Sequence, residues 1–365
     1  MNDLSLQYER YKSTIDQNIQ TVINTTQFIG GDFVRRLEQE LAAYLHCTEV
    51  ITCGNGTDAL MMALMALDLP AGSEVIVPAF TFGAPAEAAR LLGLRPVFAD
   101  VDSDTFLINP DSVASLLTVN TSCIIPVHLF GQCADMAALQ ALVAGRNIRI
   151  IEDTAQALGS KWLPTGQMAG TIGDIGTTSF FPSKNLGCYG DGGALMTNDP
   201  MLGERIRMIR NHGTRKKYFH EIIGVNSRLD NLQAAILCAK LPHLDDDIRK
   251  RQEAAALYGA ELTDLEFLKI PVRSHNSTHT YHQYTVRIPG HRDRMAKFMQ
   301  ENGISSAVYY PSSLHRQPAF LDANHEEFQC PVSDQLCIEV LSLPIYPDIT
   351  AEQIQYICQT IKKGF

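Results

Sequence analysis

The sequence has little with which to hold a polyanion. Its 30 Lys and Arg are outnumbered by 40 Asp and Glu, giving a formal charge of -10 at pH 7. Phosphate backbones are gripped by clustered cations, so nucleic acid is excluded as a partner. Long apolar runs are also missing: no stretch of 18 apolar residues occurs, and the opening MNDLSLQYERYKSTIDQ lacks the apolar centre of an export signal. A cytoplasmic protein without a membrane partner is expected. The nine cysteines, from Cys47 to Cys358, never take the CxxC spacing of zinc or redox sites. That excludes a metal centre of this kind and predicts small buried hydrophobes in a reducing compartment. There is no internal repeat and no low-complexity linker.

What is present is a 365-residue chain that is 45% hydrophobic, long enough for one large core and a smaller second domain. After Phe33, VRRLEQELAAYL places apolar residues at helical spacing, and Gly54-Asn55-Gly56 opens a second helix from Thr57 to Leu67. The period then changes. EVIVPAF (74–80), RPVFADVD (95–102), SCIIPVHLF (122–130) and IRIIEDTAQ (148–156) are short apolar runs closed by polar or Pro-containing loops, with helix-like APAEAARLLG and MAALQALVAG among them. DIGTTSFF and GALMTN add two strand candidates on either side of PSKNLGCYGDGG. Strands alternating with helices imply an α/β fold with a parallel sheet covered on both faces. Long helical patterns follow from Pro200 to Asn211 and from Leu229 to Ala239. After about Pro242 come a charged helix, the strand HQYTVRI, the helix RDRMAKFMQENG, a Pro-bounded segment and a terminal helix. The expected division is an N-terminal arm and large domain over 1–242 and a small α+β domain over 243–365.

Several residues in this pattern point to one chemistry. Lys184 sits in SFFPSKNLGCYGDGG, a loop of small residues after a strand, which suits a side chain that must swing. Asp153 follows the strand IRIIE, at the sheet edge where α/β proteins gather ligands. Gly54-Asn55-Gly56-Thr57-Asp58 precedes a helix, so backbone N–H groups and the Thr57 hydroxyl favour phosphate, and Ser179 adds a second hydroxyl. Phe82 offers a flat face after EVIVP. Each has an ordinary reading by itself: Lys184 as a solvated charge, Asp153 as a helix cap, Gln156 as a helix-face amide, Phe82 as core. The turn lacks both the Lys-Ser/Thr ending of a Walker motif and the spacing of a dinucleotide fingerprint, which disfavours ATP and NAD. Taken together, the residues meet the needs of pyridoxal 5′-phosphate (PLP). It requires a lysine for its aldehyde, an acid that keeps its pyridine nitrogen protonated, donors around its phosphate and a flat group against its ring.

These residues, in their order and surroundings, resemble the DegT/DnrJ/EryC1/StrS family of sugar aminotransferases. The resemblance runs from FIGGDFVRRLEQELAAYL through CGNGTDAL, VIVPAFTF, PVHLFGQCADM, IEDTAQALGS, TSFFPSKNLGCYGDGGALMTND and VNSRLDNLQAAIL to AVYYPSSLHRQPAF; EDTAQ combined with SFFPSKNLGCYGDGG makes it specific. It implies the PLP fold-type I architecture of aspartate aminotransferase, with a mostly parallel seven-stranded sheet in the large domain. It implies Lys184 as the catalytic, Schiff-base residue, Asp153 on the pyridine nitrogen and Gln156 by the phenolic oxygen. Gly56, Thr57, Asp58 and Ser179 take the phosphate and Phe82 stacks on the ring. Asn226 is implied to reach the neighbouring subunit's cofactor, hence a homodimer with shared sites.

Within the family, PVHLFGQCADM, FFPSKNLGCYGDGGA and NSRLDNLQAAILCAKL are most similar to enzymes that use L-glutamate to aminate position 3 of UDP-2-acetamido-2-deoxy-3-oxo-glucuronate for lipopolysaccharide and related surface polymers. That likeness implies Arg228 as a bidentate partner for the sugar carboxylate, with a dimer-interface ion pair as the equal alternative. Ile29, Gly30 and Ser183 would line the sugar, and Tyr309 and Tyr310 would reach in from the second subunit. The subgroup has His-Tyr where this chain has Tyr309-Tyr310, and Asn185 stands where proline often occurs, so a 4-keto-6-deoxy nucleotide sugar stays open as the acceptor. Dehydratase relatives replace the lysine with histidine, whereas Lys184 is intact. A non-catalytic, PLP-binding regulatory protein is the reading from another class.

Overall fold

The computed structural model describes residues 3–321 and 328–364. Two helices precede the sheet, α1 (Leu4–Thr25) and α2 (Asp32–Leu45). Asp3 caps α1 by accepting the N–H groups of Ser5 and Leu6, and Tyr11, Ile15 and Val22 form its narrow buried stripe. Tyr11 and Ile15 pack on Ile236 and Ala239. The first nine strands are β1 (Glu49–Cys53), β2 (Glu74–Pro78), β3 (Arg95–Ala99), β4 (Thr121–Ile124), β5 (Arg149–Asp153), the short pair β6 (Lys161–Trp162) and β7 (Gln167–Met168), β8 (Ile175–Ser179) and β9 (Gly193–Thr197).

Seven of these form the central sheet in the order β1-β9-β8-β5-β4-β2-β3. Neighbours from β3 across to β8 run parallel, while β9 is antiparallel to both β8 and β1. All five residues of β2 and of β9 are buried, as expected of strands covered on both faces. The covering helices between strands are α3 (Gly56–Leu67), α4 (Ala84–Leu91), α5 (Pro110–Leu116) and α6 (Met136–Val143), followed by α7 (Pro200–Arg210) and α8 (Asn231–Lys240). An exposed hairpin, β10 (Thr214–Lys216) and β11 (Phe219–His220), projects between the last two.

The chain then runs through α9 (Leu244–Leu262), β12 (Tyr284–Arg287), α10 (Arg292–Glu301), α11 (Pro331–Glu339), β13 (Val340–Leu343) and α12 (Ala351–Lys363). Tyr258, Val286, Met299, Leu341, Leu343 and Ile357 close a separate apolar core there, with β12 and β13 antiparallel. Eight of the nine cysteines are buried and all are free, as the spacing predicts. Among the described residues no helix is long and apolar enough to cross a membrane, and no His, Cys, Asp and Glu cluster suits a metal.

Three chain ends position the site. The C-terminal ends of β5 and β8 and the N-terminus of α3 meet at one edge of the sheet, as topology dictates for ligand sites in α/β folds.

Candidate active site

That edge opens on a cavity of about 470 Å³. Of the residues expected from sequence, Gly56, Thr57, Phe82, Asp153 and Gln156 line it, and so do Ser179, Ser183, Lys184, Tyr309 and Tyr310.

Asp153 is the last residue of β5, and its neighbour Glu152 points to the other face of the sheet because side chains alternate along a strand. Glu152 is fully buried and accepts the N–H groups of Gly170 (3.0 Å), Ile172 (2.7 Å) and Gly173 (2.7 Å). His128 also meets it at 2.8 Å. Since Nδ1 of His128 accepts the Ala134 N–H at 3.0 Å, its proton sits on Nε2 and is donated to Glu152. Burial pushes the Glu152 carboxyl up, but His128 and the backbone donors outweigh it and hold it below the ordinary value. Among the described residues the Asp153 carboxylate accepts a single hydrogen bond, from the Ala155 N–H at 2.9 Å. Burial therefore wins there and raises its pKa, against the opposing pull of that N–H, of Lys184 and of His128.

Lys184 lies in the loop 180–192 that joins β8 to β9. The loop is clamped at its base, where Phe180 N–H donates to Gly192 O (2.7 Å) and Cys188 N–H to Phe180 O (2.8 Å). Buried Lys240 adds a third tie through a 2.5 Å bond to Gly187 O. The Lys184 amine faces the cavity, and burial pulls its pKa down to about 8 against the opposing charge of Asp153. This is no solvated surface charge.

The phosphate cradle starts with Asn55, which caps α3. Its Oδ1 accepts the Asp58 N–H at 2.8 Å, which corrects the expectation that Asp58 offers that group to phosphate; the Asp58 carboxylate accepts from Ser227 Oγ at 2.6 Å. The N–H groups of Gly56 and Thr57 are left without a partner among the described residues, as the first helical turn dictates. A side chain on Gly56 would put its Cβ 2.8 Å from that of Ser179, so only glycine lets the helix start come this close to the β8 end.

Phe82 is 59% exposed at the cavity mouth and not a core aromatic. Gln156 is not on a helix: its Oε1 accepts the Phe130 N–H at 2.8 Å, and its Nε2 donates to Tyr310 Oη at 3.0 Å. That bond also corrects the expectation for the tyrosines, because Tyr309 and Tyr310 line the cavity of their own chain. Ile29, Gly30, Asn226 and Arg228 do not line it. They lie on two segments in contact with each other, where Ile29 bridges Asp230, Asn226 bridges Asn211, and the exposed Arg228 guanidinium lies 3.5 Å from Asn211 Oδ1. The sequence reading missed His282 and Asp191, which also line the cavity, and the Glu152–His128 pair behind it. HQYTVRI starts with His282, and the return of that strand's lead-in to the sheet edge is not visible in periodicity.

The residues fit PLP: unpartnered N–H groups at a helix start for its phosphate, a buried carboxylate for its ring nitrogen, and a lysine of lowered pKa for its aldehyde. The profile of the DegT/DnrJ/EryC1/StrS aminotransferase family matches residues 9–362. A "Pleiotropic regulatory protein" of Geobacillus stearothermophilus is 45% identical over 367 residues, covering 100% of this chain and 98% of that protein. The UDP-2-acetamido-2-deoxy-3-oxo-D-glucuronate aminotransferase of Pseudomonas aeruginosa is 42% identical, covering 98% of each. The UDP-N-acetyl-3-dehydro-alpha-D-glucosamine 3-aminotransferase of Acidithiobacillus ferrooxidans is 41% identical, covering 100% of this chain and 97% of that protein. Among solved structures, DesV of S. venezuelae superposes with a TM-score of 0.95 at 36% identity, covering 99% of this chain and 97% of that one. The chain therefore belongs to the DegT/DnrJ/EryC1/StrS aminotransferase family and is a PLP-dependent transaminase.

Proposed function

We propose that this transaminase moves the amino group of L-glutamate to position 3 of a UDP-linked keto-sugar, UDP-2-acetamido-2-deoxy-3-oxo-glucuronate, for surface polysaccharide synthesis in the cytoplasm. The observation that carries the reading is the meeting of Lys184 and Asp153 in one cavity at the sheet edge. PLP, when bound, supplies the electron sink that loosens a proton next to nitrogen. Lys184 takes that proton as general base and returns it to the carbon on the other side of the nitrogen, a task suited to an amine of pKa about 8. Asp153 holds the proton on the ring nitrogen. Gly56, Thr57 and Ser179 would hold the phosphate and Phe82 would cover the ring, while Gln156 bonded to Tyr310 would form a wall beside it.

Position 3 is favoured because the P. aeruginosa and A. ferrooxidans relatives are both named for it, and they differ in whether the sugar carries a carboxylate. The hexuronate assignment draws on Arg228, whose planar fork matches a carboxylate. Substrate binding also supports a homodimer. A UDP-sugar brings a diphosphate, and among the described residues Lys184 is the only Lys or Arg lining the cavity, which supports cations supplied by a second chain; Arg228 is exposed and available for that role, with Asn226 beside it as a neutral donor.

The test is an absorption spectrum. L-Glutamate should remove the visible band of the holoenzyme, and UDP-3-keto-hexuronate should restore it. Recovery only with a 4-keto-6-deoxy sugar would sink the hexuronate assignment while leaving the transaminase. A regulatory role is favoured by the name of the G. stearothermophilus relative, and a holoprotein whose band ignores every amino donor would make it the better reading.

A further inference from the structure

His282 lines the cavity without a task in the reaction above. It is 7% exposed, and its Nδ1 is sealed off with no hydrogen-bond partner. The other ring nitrogen, Nε2, is not among the sealed atoms and is the one available to the cavity. Burial first, then the charges of Lys184 and Arg251, keep the ring's pKa well below the ordinary imidazole value, so it is neutral.

The backbone that places it is strained. Tyr281, the residue before it, has φ 48, a left-handed conformation that aromatic residues rarely take. Three contacts enforce that conformation. Buried Arg251 of α9 donates to Tyr281 O (3.2 Å), Tyr281 N–H donates to His279 Nδ1 (3.0 Å), and the two rings stack 3.9 Å apart. The segment is also pinned on both sides, by Thr280 N–H to Gly131 O (2.7 Å) and Gln283 N–H to Phe130 O (3.4 Å). The lead-in to β12 is thereby turned so that the imidazole meets the cavity.

Lys184 is the matching unsatisfied donor, since among the described residues none hydrogen-bonds its amine. Other polar and titratable groups face the same space. Gln156 and Tyr310 are bonded to each other, Asp153 belongs to the ring nitrogen, and Asp191 and Tyr309 complete the titratable lining, with Arg251 behind His282.

We propose that His282 is a positioning residue for Lys184: its cavity-facing ring nitrogen receives an N–H of the lysine amine whenever Lys184 is not joined to the cofactor, and so aims the base at the reacting carbon. A neutral imidazole does this without taking the proton, which leaves the amine its basicity. The inference rests on Lys184 being the cofactor lysine. That premise has its own check, borohydride reduction of the wild-type holoenzyme followed by peptide mapping; a label elsewhere than Lys184 would overturn the parent reading whatever His282 variants do.

The experiment compares His282→Phe and His282→Gln with wild type in a single turnover of the holoenzyme with L-glutamate and its 2-deuterated form. For His282→Phe the rate should fall about tenfold or more and the deuterium effect should grow, with half-saturating glutamate little changed. The amide of His282→Gln still accepts a hydrogen bond and should recover most of the rate. In the apoproteins, the pH midpoint of Lys184 labelling by a small amine reagent should drop in His282→Phe, because the ammonium loses an acceptor while burial remains. A rise in half-saturating glutamate with an unchanged deuterium effect would overturn the proposal in favour of a substrate contact. Unchanged rate and midpoint would overturn it in favour of simple packing. If His282→Phe does not fold, His282→Leu makes the same comparison.

Discussion

Glu152 and Asp153 are adjacent carboxylates on one strand, and the two faces of the sheet treat them in opposite ways. Behind the sheet, Glu152 is met by His128 and three backbone N–H groups, and it stays ionised although fully buried. In front, Asp153 receives one N–H, and its pKa rises. A polar group that serves structure has its bonding capacity filled by the fold, whereas a group kept for a ligand is left short. Lys184 and His282 follow the second pattern; Asn231, whose Oδ1 accepts the Val34 N–H and whose Nδ2 donates to Gln27 O, follows the first.

The contrast can be broken most directly by Lys184→Ala. The donor half-reaction should fall by about three orders of magnitude in single turnover, with the fold intact. A drop of less than tenfold would remove Lys184 from its role. Next in size is Asp153→Asn, which keeps the shape and the bond to the Ala155 N–H but removes the charge. Turnover should fall about 100-fold, while urea denaturation of the apoprotein should move by no more than about 1 kcal/mol, because burial already disfavours that charge.

Glu152→Gln should invert this result, losing about 2 to 3 kcal/mol of stability as an amide N–H is turned on backbone donors, with a smaller loss of turnover. The sign with pH follows from the lowered pKa. The Glu152 contribution is present above the ordinary Glu value of 4.5 and fades as acid protonates the folded form, so the gap between wild type and variant should narrow in acid. Equal effects at both carboxylates on both readouts would dissolve the distinction between the two faces.

Two smaller effects sharpen it. Labelling of Lys184 in the apoprotein should be half-maximal near pH 8, and Asp153→Asn should lower that midpoint, since the carboxylate stabilises the ammonium. An upward shift would mean that burial, and not charge, couples the pair. Asn226→Ala should weaken PLP binding only several-fold, on the scale of one lost hydrogen bond to phosphate. Mixing it with Lys184→Ala subunits at limiting PLP should create active sites of wild-type PLP affinity, because one of the two mixed sites pairs an intact Lys184 with an intact Asn226. Their absence would place Asn226 outside the neighbouring site.

The cavity floor was legible in the sequence because its residues sit at strand ends and a helix start. The turn Gly54-Asn55-Gly56, the end of IRIIED and the small-residue loop around Lys184 are local signals, and sheet topology alone brings them together. Only six of the seven sheet strands stood out, since β1 merges into the turn after it. Helix α1 was hidden by a stripe only a few residues wide, and β13 by the apolar run it shares with the end of α11. His282 and the bond from Gln156 to Tyr310 depend on contacts more than a hundred residues apart in the chain, which no local pattern carries. The resemblance placed the tyrosines in a partner's site, whereas the fold of β12's lead-in and the segment before α11 brings them to their own. The resemblance also implied the Asp58 N–H as a phosphate donor, but Asn55 Oδ1 competes for that N–H at 2.8 Å.

The loop carrying Lys184 begins and ends in two strands that are hydrogen-bonded neighbours, β8 and β9, and is closed across its base by Phe180 and Gly192. Leu186 and Cys188 tie it to the core, so the position open to exchange without touching the register of the sheet is the side chain at 184. Evolution of a new reaction on this scaffold would then begin with a side chain and leave the architecture in place.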